Sequence, residues 1–320
     1  MNILMVGHSG AGKTSFMAGM YKFLGNSTDG YGIRAKKTNQ QKQLERMAQQ
    51  LSYGRYPSST DIQQMYNFEF TCNGDDVMPF NWMDYRGGIL LSDDPDEEDM
   101  DKFMEALTQA DALVVFLDGT KLIERTAKWN MEYDILLSCI ANSLNVKHQS
   151  WFPICFVVTK CDLVPDGASF YGLNRFGTLF EQISSSKTVG AMLLQCTINS
   201  ESYFAPFLAL SYCIHGGAPI YIQKRNEAMN RAAERYKSHK PETLIGWLGA
   251  GVEELLNAGA KIIGEVIDED WGWETELDKA NYAKYDYNKE QNQLEFLKAI
   301  ASELKGKIQK WENDGVVSLY

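Results

Sequence analysis

Cysteine is sparse in this 320-residue sequence, and none of Cys72, Cys139, Cys155, Cys161, Cys196 and Cys213 stands in a close Cys-x-x-Cys pair. That spacing excludes the usual zinc grip and leaves reduced, mostly buried thiols as the expectation. Positive charge is also short: 31 Lys and Arg against 42 Asp and Glu give a net charge of -11. Such a balance repels a phosphate backbone, so nucleic acid is not an expected partner. No basic segment precedes the first apolar run, Ile3 to Val6, so no cleavable leader is expected and the protein reads as cytoplasmic. The longest apolar stretch, Leu244 to Ile267, carries Glu253, Glu254, Lys261 and Glu265, charges too costly for the centre of a bilayer. No membrane span is expected there. Repeats are absent, and the one biased tract is an acidic run, Asp93 to Asp101, with seven acids in nine positions. It reads as a solvated loop, with a docking surface for a basic partner as the alternative.

What is present is globular: 44% hydrophobic and 23% charged residues. Asn2 to Val6 is a short apolar run ending in glycine, and Thr14 to Leu24 then takes helical spacing, which together predict strand, loop, helix. Lys36 to Tyr53 is polar with apolar residues at Leu44, Met47, Ala48 and Leu51, an inserted amphipathic helix. Met65 to Cys72 and Val77 to Met83 flank Asn73-Gly74-Asp75-Asp76, a turn suited to an antiparallel hairpin. Ala112 to Leu117 and Ile154 to Val158 read as central strands buried on both faces. Ala191 to Ile198 and Phe207 to Ile214 are expected to add one or two more. Beyond residue 222 the texture turns helical: Gln223 to Lys240, Leu244 to Ile267 and Lys289 to Trp311 all carry helical patterns. The apolar stripe of the middle one is expected to pack on its own domain, with oligomerisation or capture of another protein as the alternative. The fold class that follows is three-layer α/β, mostly parallel with one antiparallel edge strand, over residues 1–222, with a helical C-terminal extension over 223–320.

Chemistry concentrates in three places. Gly7-His8-Ser9-Gly10-Ala11-Gly12-Lys13-Thr14 fits the phosphate-binding loop pattern and lies between a predicted strand and a predicted helix. Glycines there let successive N–H groups curl around phosphate oxygens while the helix presents its positive end. Lys13 would reach the β and γ phosphates, Thr14 would offer a hydroxyl to Mg²⁺, and Ser9, Ala11 and Ser15 would line the same loop. Asp84 closes the apolar run Phe80 to Met83 and opens Asp84-Tyr85-Arg86-Gly87. A carboxylate at a strand tip beside the first strand suits Mg²⁺, with a turn former as the bland alternative. Gly87 would swing its amide to the γ phosphate. Thr159-Lys160-Cys161-Asp162 follows the strand Ile154 to Val158. Alone such a tetrapeptide is more often a solvated turn, but it resembles the base-reading loop of guanine-nucleotide proteins. There a carboxylate at Asp162 would accept hydrogen bonds from N1–H and the N2 amine of guanine, donors that adenine lacks at those places. Lys160 would lay its alkyl stem along the base.

In this order the three motifs resemble a P-loop GTPase of the Ras-like and translation-factor class, over roughly residues 1 to 220. The resemblance implies a P-loop NTPase (Rossmann-like) domain that binds GTP/GDP with Mg²⁺ and acts with a protein effector or activator. It also implies a threonine between the first helix and the hairpin that binds Mg²⁺ and the γ phosphate, for which Thr60 is the candidate and Ser58 and Ser59 the rivals. The family's last base-contacting loop would fall near Ser211 and Tyr212. One departure matters: the residue after Asp-x-x-Gly usually supplies a glutamine or histidine that orients water, and here it is Gly88. Slow intrinsic hydrolysis is expected, with Arg86, His8 or a partner's arginine as substitutes; the favoured reading of Arg86 is a surface ion pair and of His8 a loop residue with no proton to move. Asp118-Gly119-Thr120-Lys121 resembles the exit of the family's central strand, and an architectural role is expected for it. A helical tail on such a domain also resembles bacterial systems that pair two GTPases. Rival readings are a P-loop ATPase or kinase and a GTP-holding scaffold without hydrolysis.

Overall fold

The structure, a computed structural model, describes residues 1–25, 30–57, 64–85, 97–124, 126–146, 151–165, 173–198, 204–239 and 276–320. In chain order these form β1 (Asn2–Val6), α1 (Lys13–Leu24), β2 (Tyr31–Ala35), α2 (Thr38–Ser52), β3 (Gln64–Cys72), β4 (Asp75–Asp84), α3 (Glu97–Gln109), β5 (Ala112–Asp118) and α4 (Gly119–Glu124). They continue with α5 (Ala127–Val146), β6 (Phe152–Thr159), α6 (Gly177–Ser185), β7 (Val189–Gln195), α7 (Phe204–His239), α8 (Glu276–Asn313) and β8 (Ser318–Leu319).

All eight strands join one sheet in the order β2-β3-β4-β1-β5-β6-β7-β8. The pairs β4-β1, β1-β5, β5-β6 and β6-β7 are parallel. Only β3 and β8 run against the rest, since β3 is antiparallel to both β2 and β4, and β8 to β7. The expected single antiparallel edge strand is therefore one strand in from the edge, covered by the unforeseen β2, and a second antiparallel strand closes the other side. The hairpin turns on Asn73 (φ 52) and Gly74 (φ 90), both left-handed, as a two-residue turn matched to strand twist requires.

Strands β5 and β6 are buried along their whole length, which explains their unbroken apolar sequences. Helix α2 forms where its amphipathic spacing places it, burying Leu44, Met47, Ala48 and Leu51. One expected strand is overturned: Phe207 to Ile214 belongs to α7. Every residue of that run is buried, including Phe207, Leu210 and Cys213, so the segment is apolar on all sides and carries no helical stripe. Periodicity alone cannot tell such a run from a buried strand.

The chain divides into two compact units, Met1–Tyr221 with Leu297–Tyr320, and Ile222–Phe296. The first holds the whole sheet, so the end of the chain belongs to it and finishes as a strand. Within the second, Arg225 and Glu290 form an ion pair at 2.8 Å. The amphipathic stretch 244–267 lies outside the described residues.

Candidate functional site

Parallel pairing brings the carboxyl ends of β1, β4, β5, β6 and β7 to one side of the sheet, where the loops of an open α/β fold meet ligands. The loop leaving β1 curls tightly there. Gly7 has φ 148, and a Cβ on it would stand 2.7 Å from the Phe116 carbonyl oxygen, so only glycine fits against β5. Gly12 is left-handed at φ 93 and carries no side-chain cap, so the leading N–H groups of α1 are left to the cleft that begins at this point. Lys13 folds back into the loop. Its Nζ donates to the carbonyls of Gly7 at 2.8 Å and His8 at 3.2 Å, and burial lowers its pKa against the opposing pull of Asp84.

Asp84, buried at the tip of β4, accepts a hydrogen bond from Thr14 Oγ1 at 3.3 Å. The hydroxyl and carboxylate expected to share a metal thus adjoin, although no sequence neighbourhood joins them.

The loop leaving β6 is tied to the first loop directly. Thr159 Oγ1 donates to the Ala11 carbonyl at 2.9 Å and lies 3.3 Å from that of Leu117. Lys160 takes a left-handed backbone (φ 57) and extends its ammonium to Asp118 at 2.5 Å. Asp118 is only 1% exposed, and its other oxygen accepts from Thr120 N at 3.0 Å and Thr120 Oγ1 at 2.6 Å. Burial pushes the Asp118 carboxyl up, but the hydrogen bonds from Lys160 and Thr120 outweigh it and hold the group below the usual carboxylate range. Asp162 is exposed at the same mouth.

One cleft of about 400 Å³ joins the phosphate loop to the Thr159–Asp162 loop, and Asp84 and Asp118 are not among the residues that line it. Of the expected site residues, Ser9, Gly10, Ala11, Gly12, Lys13, Thr14, Ser15, Thr159, Lys160 and Asp162 line it, with Gly7 beneath the loop. Ser211 does not. It is fully buried in α7, because the run expected to be a strand there is a helix. Residues beyond β7 supply the missing wall: Ile198 lines the cleft, and its carbonyl accepts from Tyr56 Oη at 3.0 Å. Thr60 and Gly87, with Ser58, Ser59, Arg86 and Gly88, lie outside the described residues.

The contact that sequence reasoning missed is the one between Asp118 and Lys160. The strand-end position of Asp118 gave a signal, but its partner Lys160 is 42 residues away. His8 is buried behind the loop, its Nδ1–H donating to the Ser9 carbonyl at 2.9 Å and Nε2 lying 3.3 Å from Tyr133 Oη. Burial lowers its pKa, which suits the expectation of a ring with no proton to move near neutrality. All six cysteines are free and five are buried. Among the described residues no group of three or more His, Cys, Asp or Glu side chains is placed to hold a metal, and no helix is long and apolar enough to cross a membrane.

Comparison with known proteins adds the following. Similar solved structures include the signal recognition particle receptor SRb-GTP/SRX complex from Chaetomium thermophilum (15% identity, 63% of this chain and 92% of that one, TM-score 0.40). They also include a mutant of S. thermophilus NFeoB bound to GDP (11% identity, 94% and 99%, TM-score 0.31). A third is the bacterial selenocysteine-specific elongation factor EF-Sec (13% identity, 66% of this chain, TM-score 0.36), of which this chain spans 28%. Among curated proteins none matches the sequence. The sequence model named Double-GTPase 1 matches residues 4–163, a span that runs from the first strand through the phosphate loop and Asp84 to the Thr159–Asp162 loop. With half of the chain matched, and with the loops of that half converging on one cleft, this protein belongs to the Double-GTPase 1 family of P-loop GTPases.

Proposed function

We propose that this protein is a cytoplasmic, Mg²⁺-dependent guanine-nucleotide switch with slow intrinsic GTP hydrolysis. The observation that carries the reading is the Thr159–Ala11 hydrogen bond, which fastens the Asp162 loop to the phosphate loop across one cleft. Two loops so joined suit a ligand with an anionic end and a purine end.

In this reading the amides of residues 10–15 bind the phosphates and Lys13 exchanges its carbonyl partners for phosphate oxygens, a charge-assisted gain. Thr14 and Asp84 fit Mg²⁺, since a hydroxyl and a carboxylate oxygen already adjoin and hard oxygen donors suit that ion. When bound, the ion neutralises charge on the β and γ phosphates. Asp162 accepts the N1–H and N2 donors of guanine, and Lys160, held at its tip by Asp118, offers its stem to the base. Thr60 and Gly87 are assigned to the γ phosphate, which with Mg²⁺ orders both segments for a protein effector until hydrolysis releases them.

Gly88 has no side chain with which to orient water, so unaided turnover is expected at or below the ~10⁻⁴ s⁻¹ order of a small GTPase acting alone. The same glycine favours a second reading, a GTP-holding scaffold that needs an activator or hydrolyses nothing. Calorimetric titration with GTP, GDP and ATP, with Mg²⁺ and with chelator, tests the first reading. Micromolar or tighter guanine-nucleotide binding that ATP does not compete with is expected; equal competition by ATP would sink it. Phosphate release followed over hours separates slow switch from inert scaffold.

A further inference from the structure

Helix α2 is inserted between β2 and β3, and two of its glutamines end on β3. The last strand β2 residue, Ala35, pairs with Phe68, and the final backbone bond of that ladder runs from Lys36 N to Asn67 O. Beyond it the outer edge of β3 continues without β2. Gln40, buried, takes over there: its Nε2 donates to the Met65 carbonyl at 2.6 Å and its Oε1 accepts from Asn67 N at 3.1 Å. A side-chain amide thus stands in for the peptide group of a neighbouring strand.

Three residues on, and so on the same side of the helix, Gln43 meets Gln64 in a reciprocal amide pair, at 3.2 Å one way and 2.9 Å the other. Tyr66 Oη donates to Gln64 Oε1 at 2.8 Å and accepts from Gln43 Nε2 at 3.3 Å. Gln64 is the first residue of β3 and the register partner of Asp84. Directly opposed residues of an antiparallel pair share a face, with Cβ atoms ~4.5–5.5 Å apart. The amide cluster therefore borders the carboxylate that holds Thr14. The Asp84 charge, after burial, is the second cause raising the Tyr66 pKa, as such nearness requires.

Resting on the function proposed above, we infer that Gln43, Gln64 and Tyr66 are positioning residues for Asp84, so that an inserted helix sets the Mg²⁺ requirement of nucleotide binding. None of the three lines the cleft. Their effect should reach the metal and spare the phosphate loop.

The test is GDP binding by the full chain over a range of MgCl₂ concentrations, and again in chelator. Gln64→Met keeps the side-chain length and removes the amide. It should raise the Mg²⁺ concentration for half-maximal binding roughly threefold to tenfold, the scale of one or two neutral hydrogen bonds, while chelator affinity stays within about twofold. Tyr66→Phe, which deletes only the hydroxyl, should move the half-point the same way by less, and serves if Gln64→Met does not fold. An unchanged Mg²⁺ half-point in a folded variant overturns the inference, as does an equal loss with and without Mg²⁺. A wild-type protein that binds no guanine nucleotide overturns the proposed function instead.

Discussion

The two ends of the cleft are built from different material. At the phosphate end the groups facing the ligand are backbone amides and one buried lysine, fixed by glycines whose conformation no other residue adopts cheaply. At the base end they are side chains, an exposed Asp162 and a half-exposed Lys160 held by a buried partner. A cradle of backbone amides can grip any triphosphate, whereas a carboxylate side chain can select a purine edge that offers two donors. On the proposed function, the difference teaches that affinity and specificity belong to separate loops, those that leave β1 and β6, joined by one threonine hydroxyl.

Substitutions at each end should therefore fail differently. The largest effect is expected from Lys13→Ala, which removes the charge at the phosphate end: nucleotide affinity should fall by roughly 100-fold or more, for GTP and ATP alike, in calorimetric titration. Asp162→Asn should leave triphosphate binding intact and shift preference from guanosine to xanthosine nucleotides by about 1–3 kcal/mol, read as a ratio of dissociation constants. Unchanged preference would end the comparison, because the base end would then read nothing. Asp118→Asn should be milder. It frees Lys160, whose side chain is 35% exposed, so water screens much of the loss, and about 1 kcal/mol of guanine affinity is expected to go.

The smallest effect concerns acid. The folded pKa of His8 is depressed, so its contribution to stability is full above the unfolded value of about 6.5 and is lost as pH falls through the lower folded value. Thermal melting of the wild type should drop between pH 7 and pH 5. In His8→Gln that drop should be shallower, and an identical slope would place the acid sensitivity elsewhere.

How much of this was legible in the sequence follows from the range of each interaction. The phosphate loop is read within eight residues, and the Thr159–Asp162 loop within four, because each needs only a local turn after a strand. Asp84 was readable as a strand end, yet its contact with Thr14 depends on β4 lying beside β1, which is tertiary. The Asp118–Lys160 ion pair was hidden because the ammonium arrives from the loop after β6, 42 residues on. The strand β2, only five residues long, carries too little pattern to be seen without the hairpin it flanks. Helix α7 misled for the opposite reason: a run buried on every side has no polar face to betray its period, so Ser211 was drawn toward the cleft with it.

The small strand β8 has an effect out of proportion to its two residues. Tyr320 and Ala191 exchange backbone hydrogen bonds at 2.9 and 3.1 Å, and the Tyr320 ring stacks on Phe180 at 4.5 Å. Without that seam, the rim of an apolar strand would offer free donors and acceptors to any neighbouring molecule. A handful of atoms at residues 318–320 thus works as a selvedge, occupying backbone donors and acceptors along the rim of β7.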